Sequence, residues 1–256
     1  MTILPKISII IPAYNVAGYL PETLKSIFQQ GFFDFEIIIV NDGSSDNTAS
    51  VVEKITDPRI KLFNFDKNQG KSAAVNFGLG KAKGECVVIF DADDIMAANR
   101  LQKQWGFLQK NPDVDLVYGD MIIMEDHKRK KILRAIDWRG KNPSAILKKI
   151  SQRKDLDEIK PYKLLDYQNE NKIIPSSSTM IRKSVFQTIK LDEKLRNSED
   201  YDLWLQIIGH NHKIARLPII TYFYRRHAHQ KSRDSKKMLL AARHINQKLK
   251  SGGYFK

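Results

Sequence analysis

Ile7-Ser8-Ile9-Ile10-Ile11-Pro12-Ala13-Tyr14-Asn15 is the stretch on which the fold turns. Its apolar run is continuous rather than alternating, as in a strand covered on both faces, the setting of a parallel sheet. The run then breaks into a polar loop, and the same change recurs downstream. Residues 35–40 read as a second strand running into Asn41-Asp42-Gly43-Ser44-Ser45-Asp46. Residues 60–65 read as a third running into Asp66-Lys67-Asn68-Gln69-Gly70, and residues 86–90 as a fourth running into Asp91-Ala92-Asp93-Asp94. Between them lie helical patterns. Leu20, Leu24, Ile27 and Phe28 share a stripe with Pro21 in its first turn; Val51, Val52 and Ile55 follow a cap at Ser45 or Asp46; residues 71–80 end at Gly78 or Gly80. Strands alternating with helices predict an α/β fold. It has an open, mostly parallel, twisted sheet with helices on both faces and its ligand beyond the carboxyl ends of the strands. Each polar loop alone has the composition of an ordinary turn, but four of them at one sheet edge form the pattern of a substrate cleft.

The 256 residues suit one large domain with a real core, and 42% hydrophobic with 28% charged residues excludes a disordered or fibrous chain. Cys86 is the only cysteine, which excludes a disulfide framework and a thiolate zinc site and suits a reducing compartment. No apolar run approaches the roughly 18–20 residues of a membrane span, so a cytoplasmic location is expected. The formal charge is +14, and its distribution matters more than its size. Residues 1–125 hold 12 Lys and Arg against 16 Asp and Glu, a net of −4; residues 126–256 hold 31 against 13, a net of +18. Most of that excess lies in residues 126–163 (13 against 5) and 225–256 (10 against 1). The first of these, with Trp138 and an apolar pattern at Ile146, Leu147 and Ile150, reads as an inserted helical segment or lid. Residues 173–181 are expected to re-enter the sheet, 201–208 to form a helix with Leu203, Trp204 and Ile207 inward, and 219–224 to form a late strand.

Asp91-Ala92-Asp93 after a buried strand is the strongest chemical signal. Carboxylates two apart at a strand end can reach one hard cation that also bridges substrate phosphates. A helix amino terminus decorated with acids is the plainer alternative, since Asp94 precedes a helical pattern beginning near Asn99. Tyr14 offers a ring on which a base can stack, and Asp42 can accept from the N–H of a uracil-like ring; against these stand a packing aromatic and an Asx turn with Gly43. Lys71, with Asn68 nearby, can meet a phosphate from a helix start or be a solvated lysine. Arg225 and His227 follow the late strand and can reach a phosphate or a metal, or belong to the basic run. Gly70-Lys71-Ser72 resembles the end of a P-loop, but Phe65 stands where that loop needs glycine. Gly78-Leu79-Gly80 closes a helix rather than opening one, so no dinucleotide fingerprint is present.

Taken in order, the motifs resemble family 2 glycosyltransferases of the GT-A fold. The resemblance rests on residues 7–15, 40–48 and 68–78, the Asp91 motif, Ser198-Glu199-Asp200-Tyr201-Asp202-Leu203-Trp204-Leu205, and Tyr224-Arg225-Arg226-His227. It covers roughly residues 6–235 and implies inverting transfer of a sugar, with Mn²⁺ or Mg²⁺, from a nucleotide-sugar donor, a UDP-sugar being favoured. By that resemblance Pro12, Ala13, Tyr14, Asp42, Asn68, Lys71, Asp91, Ala92 and Arg225 bind the nucleotide-sugar, while Asp93 and His227 face the metal. Asp200 is then the general base that takes the acceptor hydroxyl's proton, and Asp94 a supporting or helix-capping residue. Without the resemblance, acids in a helix's first turn need only its dipole to explain them.

The expected organisation is one GT-A domain over residues 1–235, with a nucleotide-binding half (1–125) and an acceptor half (126–235), then a basic helix over 236–256. The acceptor is expected to be a glycan or lipid-linked saccharide. In the last segment Met238, Leu239, Ala242, Ile245 and Leu249 fall at helical spacing among basic residues. Such a helix can lie on an anionic membrane, pack on the protein's own core, or meet a second copy in a homo-oligomer. Two rivals remain. A sugar nucleotidyltransferase would carry a glycine-rich basic loop after the first strand, where Pro12-Ala13-Tyr14-Asn15 stands. A nucleic-acid-binding module would use the net charge, yet the motifs lie in the acidic half.

Overall fold

A computed structural model describes residues 4–125, 134–135, 174–227 and 235–254. Of the expected helical insert over 126–163 only Arg134–Ala135, a short strand, is described; the rest, with Trp138, lies outside these residues.

The four strands and three helices read from the first half are present. They are β1 (Ile7–Ala13), α1 (Leu20–Phe28), β2 (Phe35–Asn41), α2 (Thr48–Glu53), β3 (Ile60–Asn64), α3 (Lys71–Lys81) and β4 (Cys86–Ile89). Then follow β5 (Ile95–Met96), α4 (Arg100–Lys110), β6 (Leu116–Glu125), β7 (Arg134–Ala135), β8 (Met180–Arg182), α5 (Glu199–Gly209), β9 (Ile214–Arg226) and α6 (Ser235–Lys250). Among the described residues the strands form one sheet in the order β3-β2-β1-β4-β8-β6-β9-β5, with β7 against β6.

The parallel part is β3-β2-β1-β4. Beyond β4 the sheet turns mixed: β8 is antiparallel to both β4 and β6, β9 is parallel to β6, and β5 is antiparallel to β9.

The continuous apolar runs have the cause expected of them. Ile10, Ile38, Val40, Val87 and Ile89 point into one core with α3, α5 and α6. Ile7, Ile9, Ile11, Ile37, Ile39 and Val88 point into another with α1 and α4. Alternate residues of each strand thus serve opposite faces, and neither face meets water. Helix α3 sits tightly on β1 because residue 78 is glycine; a Cβ there would lie 2.6 Å from Ile10 Cγ2.

Several boundaries and contacts differ from expectation. The cap of α2 is Asn47, while Asp46 turns back to accept from the Thr48 N–H at 2.9 Å and the Ala17 N–H at 3.0 Å, tying the first two loops together. Asp94 does not cap α4, whose cap is Asn99 at φ 59°. Strand β9 is 13 residues long, not six, and β6 was not foreseen. The stripe on α6 divides: Ala241, Ile245 and Leu249 pack on the core, but Met238, Leu239 and Ala242 are exposed.

Candidate active site

The carboxyl ends of β1, β2 and β4 open into a cleft of about 1080 Å³, closed from the other half of the chain by the amino end of α5, the 3-10 turn Ser176–Ser178 and the end of β9. Pro12, Ala13, Tyr14, Asp42, Asn68 and Lys71 line it, and so do Asp91, Ala92, Asp93, Asp200 and His227. Residues from six separate segments of the chain therefore meet in one place.

Loop conformation is fixed by hydrogen bonds that the short polar residues make with the backbone. Asn15, at φ 53°, accepts the Ser45 N–H at 2.9 Å, joining the first loop to the second. Asp42 is buried, and its two oxygens accept the Gln69 and Gly70 N–H groups at 2.6 and 2.9 Å, joining the second loop to the third. Gly70 adopts φ 96°, and a Cβ there would meet the Arg196 guanidinium. This bend starts α3 and turns Lys71 into the cleft. Tyr14 is 48% exposed, its ring open to a planar partner.

The cleft floor is acidic around one cation. The Lys71 ammonium pairs with the Asp91 carboxylate and lies 3.9 Å from Glu199 Oε1. Burial works against its charge, but Asp91, Glu199 and Asp200 outweigh burial and raise its pKa. Burial and Glu199 raise the pKa of Asp200, with Lys71 pulling the other way. Asp200 Oδ1 also accepts the Tyr201 N–H at 2.8 Å.

Asp93 and His227 stand together, Oδ2 to Nε2 at 2.8 Å, with the His227 ring 4.7 Å from that of Tyr19. Among the described residues His227 Nδ1, the ring's other nitrogen, is buried without a hydrogen-bond partner. Among the described residues no three His, Cys, Asp or Glu side chains form a ready metal cage. A hard cation that shares its shell with substrate phosphates needs only one or two protein carboxylates, so the donor set fits such an ion. The acidic floor also calls for one, since a diphosphate entering against these carboxylates would otherwise meet like charge.

Arg225 is elsewhere. It does not line the cleft; its Nε–H donates to the Asp93 carbonyl at 2.9 Å, its Nη2 to Glu22 at 2.6 Å, and its guanidinium lies 5.3 Å from the Tyr19 ring. Its own N–H donates to buried Asp94 at 3.1 Å, so Arg225 braces the acidic loop from behind. Burial, with Asp93 and Asp91 nearby, pushes Asp94 well above the usual carboxylate range.

Sequence reading missed three supports. Ser177 Oγ accepts the Asp91 N–H at 3.1 Å. Arg100, fully buried, donates to the Ser177 and Thr179 carbonyls and to Gln104 Oε1, and burial lowers its pKa to about 9. Arg196 lines the cleft beside Gly70. The run of three serines after Pro175 was the one available signal, whereas an arginine in a helix reads as solvated.

A family model described as "Glycosyl transferase family 2" matches residues 8–189, most of the chain. The chain belongs to glycosyl transferase family 2. It is 29% identical over 214 residues to the uncharacterized glycosyltransferase MJ1057 of Methanocaldococcus jannaschii, covering 82% of this chain and 67% of that protein. It is 33% identical over 121 residues to the Escherichia coli UDP-Glc:alpha-D-GlcNAc-diphosphoundecaprenol beta-1,3-glucosyltransferase WfgD, covering 47% of each. The S. aureus TarS fragment 1–349, solved with UDP, shares the fold at TM-score 0.69 and 22% identity, over 94% of this chain and 64% of that one. The GT-A architecture and glycosyltransferase class are thereby established for this family 2 member, which spans only part of the length of these relatives.

Proposed function

We propose that the protein moves a hexose from a UDP-sugar to a lipid-linked saccharide or other glycan, inverting the anomeric carbon. The observation that carries this reading is the meeting of Asp200 with Asp91, Asp93, Lys71 and His227 in one cleft at the carboxyl ends of the strands. The names of two similar proteins support it: WfgD is named for a UDP-Glc donor and a diphosphoundecaprenol-linked acceptor, and TarS was solved with UDP.

Tyr14 and the Asp42 loop receive the base, and Asn68 and Lys71 lie on the phosphate side. Asp93, with His227, would hold a Mn²⁺ or Mg²⁺ ion, which when bound offsets the charge of the leaving diphosphate. Asp200 accepts the proton of the acceptor hydroxyl as its oxygen bonds to the anomeric carbon. The bond from that carbon to the diphosphate oxygen breaks, and UDP departs with the electron pair. A single displacement of this kind inverts the centre. The reading has the enzyme working in the cytoplasm, at the inner face of the membrane that carries its acceptor.

Asp200→Asn tests it. UDP binding in the presence of Mn²⁺, followed by thermal shift, stays within about twofold of wild type, while transfer from UDP-glucose to a lipid-diphosphate-linked N-acetylglucosamine falls roughly 100-fold or more. Turnover close to wild type in Asp200→Asn removes Asp200 as the base.

A further inference from the structure

Helix α6 carries two surfaces. Ala241 and Ile245 are buried in the core, with Leu249 packed beside them. From the same side His244 Nε2 meets Asp192 at 2.9 Å and Lys248 Nζ meets Asp202 at 2.6 Å. Three apolar residues near the amino end of the helix stay out of this core. Met238, Leu239 and Leu240 are 45%, 55% and 59% exposed, and Lys236 and Arg243 are exposed around them.

Successive residues of an α-helix are about 100° apart, so three adjacent large apolar side chains cover most of the circumference at this turn. That is the pattern of a helix tip that inserts, not of a helix lying flat with one greasy face. Neighbouring Lys237 lines the cleft, so the tip stands at the cleft's edge.

We propose that residues 238–240, near the amino end of α6, are a membrane-docking surface. Met238, Leu239 and Leu240 enter the boundary between headgroups and acyl chains of an anionic bilayer, and Lys236 and Arg243 meet its headgroups. This rests on the lipid-linked acceptor reading, for it presents the cleft to the surface in which such an acceptor lies. Charge selects the occupant: Lys236 and Arg243 are exposed beside the apolar residues and α6 holds no acid, which complements an anionic leaflet. A second copy is disfavoured because a two-fold contact would bring Lys236 and Arg243 against their own equivalents. Three side chains also fall far short of the roughly 800 Å² per partner that a stable dimer buries. Apolar insertion and basic attraction are each weak alone, and together they give reversible anchoring.

The experiment uses the full chain, sedimented with vesicles of phosphatidylcholine alone or with about 30 mol% phosphatidylglycerol, at low salt and at roughly 0.5 M NaCl. Wild type is expected to bind the anionic vesicles at least tenfold better than the neutral ones and to lose that preference at high salt. Leu239→Glu/Leu240→Glu is expected to lose at least tenfold in anionic-vesicle binding with an unchanged melting temperature and an unchanged UDP thermal shift. The proposal is overturned if wild type fails to bind anionic vesicles, if the double variant binds as well as wild type, or if the double substitution converts a dimer to a monomer without altering vesicle binding. The UDP measurement is read separately, so failure of the transferase reading is visible even where vesicle binding is as expected.

Discussion

Lys71, the first residue of α3, forms an ion pair with Asp91 beyond the end of β4, while Glu199 of α5 stands 3.9 Å from the same ammonium. One lysine therefore joins both halves of the sheet at the cleft floor. Lys71→Met would leave three carboxylates facing one another in a half-buried space. Removing one partner of a partly buried pair costs about 1–3 kcal/mol, so the urea midpoint should fall accordingly. Lys71→Arg keeps the charge and should lose less than half as much. An unchanged midpoint in Lys71→Met would mean that the carboxylates are relieved by water or protons instead.

The same cluster sets a pH dependence. Burial and Glu199 disfavour the charged form of Asp200, so its pKa lies above the ordinary carboxylate value, with Lys71 limiting the rise. A base must be deprotonated to work, so kcat/KM should fall as pH drops through an apparent pKa above the usual range of about 4. Glu199→Gln removes a like charge and should move that acid limb to lower pH; Lys71→Met should move it higher. These limbs belong to the coupled group rather than to Asp200 alone. A limb that stays in place in Glu199→Gln would show that Glu199 does not act on the base.

How much of this was legible depended on whether the signal was local. The runs 7–11, 35–40 and 86–90 announce doubly covered strands because every residue in them except Ser8 and Glu36 is apolar, and the polar loops that follow place the cleft. The resemblance named Asp91, Asp93 and Asp200, and they do meet. The second half was harder to read. Strand β6 contains Gly119 and Asp120, which interrupt its pattern; Asp120 is taken up by Arg216, a partner 96 residues away. Arg225 was expected on the nucleotide-sugar because it follows the late strand and lies in a motif that resembles the family's, yet Glu22, 203 residues away, holds it. Arg100 gave no sign at all, since a buried arginine is explained only by the carbonyls it meets, and these lie on a distant turn.

Away from the cleft, Glu36 makes stability depend on pH. It is buried, which alone would raise its pKa; Lys61 at 2.6 Å, the Lys83 N–H at 2.7 Å and the Ser8 hydroxyl at 2.7 Å overcome that and lower it. A carboxylate with a lowered folded-state pKa stabilises the fold fully above its unfolded value, and this contribution is lost as pH falls through the folded value. Glu36→Gln should therefore cost about 1–3 kcal/mol at pH 7 in urea unfolding, with the gap to wild type closing below about pH 4. A gap of the same size at both pH values would show that the cost is one of packing rather than charge.

Tyr254 closes the chain against the helix that carries the proposed base. Its hydroxyl donates to Asp202, which is fully buried in the first turn of α5 and also receives Lys248 Nζ at 2.6 Å and Gln206 Nε2 at 2.7 Å. The Tyr254 backbone presses on α5 as well, for a Cβ on Gly209 would collide with the Tyr254 carbonyl oxygen. Tyr254→Phe keeps the ring in its pocket and removes one charge-assisted hydrogen bond, at a cost of roughly 2 kcal/mol in unfolding free energy. Asp202→Ala strands the phenol and leaves Lys248 only Asp192, at 3.3 Å, and should cost more. Asp200 lies two residues earlier in the same turn, and a misplacement of about 1 Å at a reacting group can cost up to 100-fold in rate. In Tyr254→Phe, measured well below its melting temperature, kcat should thus fall several-fold while UDP affinity holds. Stability lost with kcat unchanged would limit Tyr254 to a structural role.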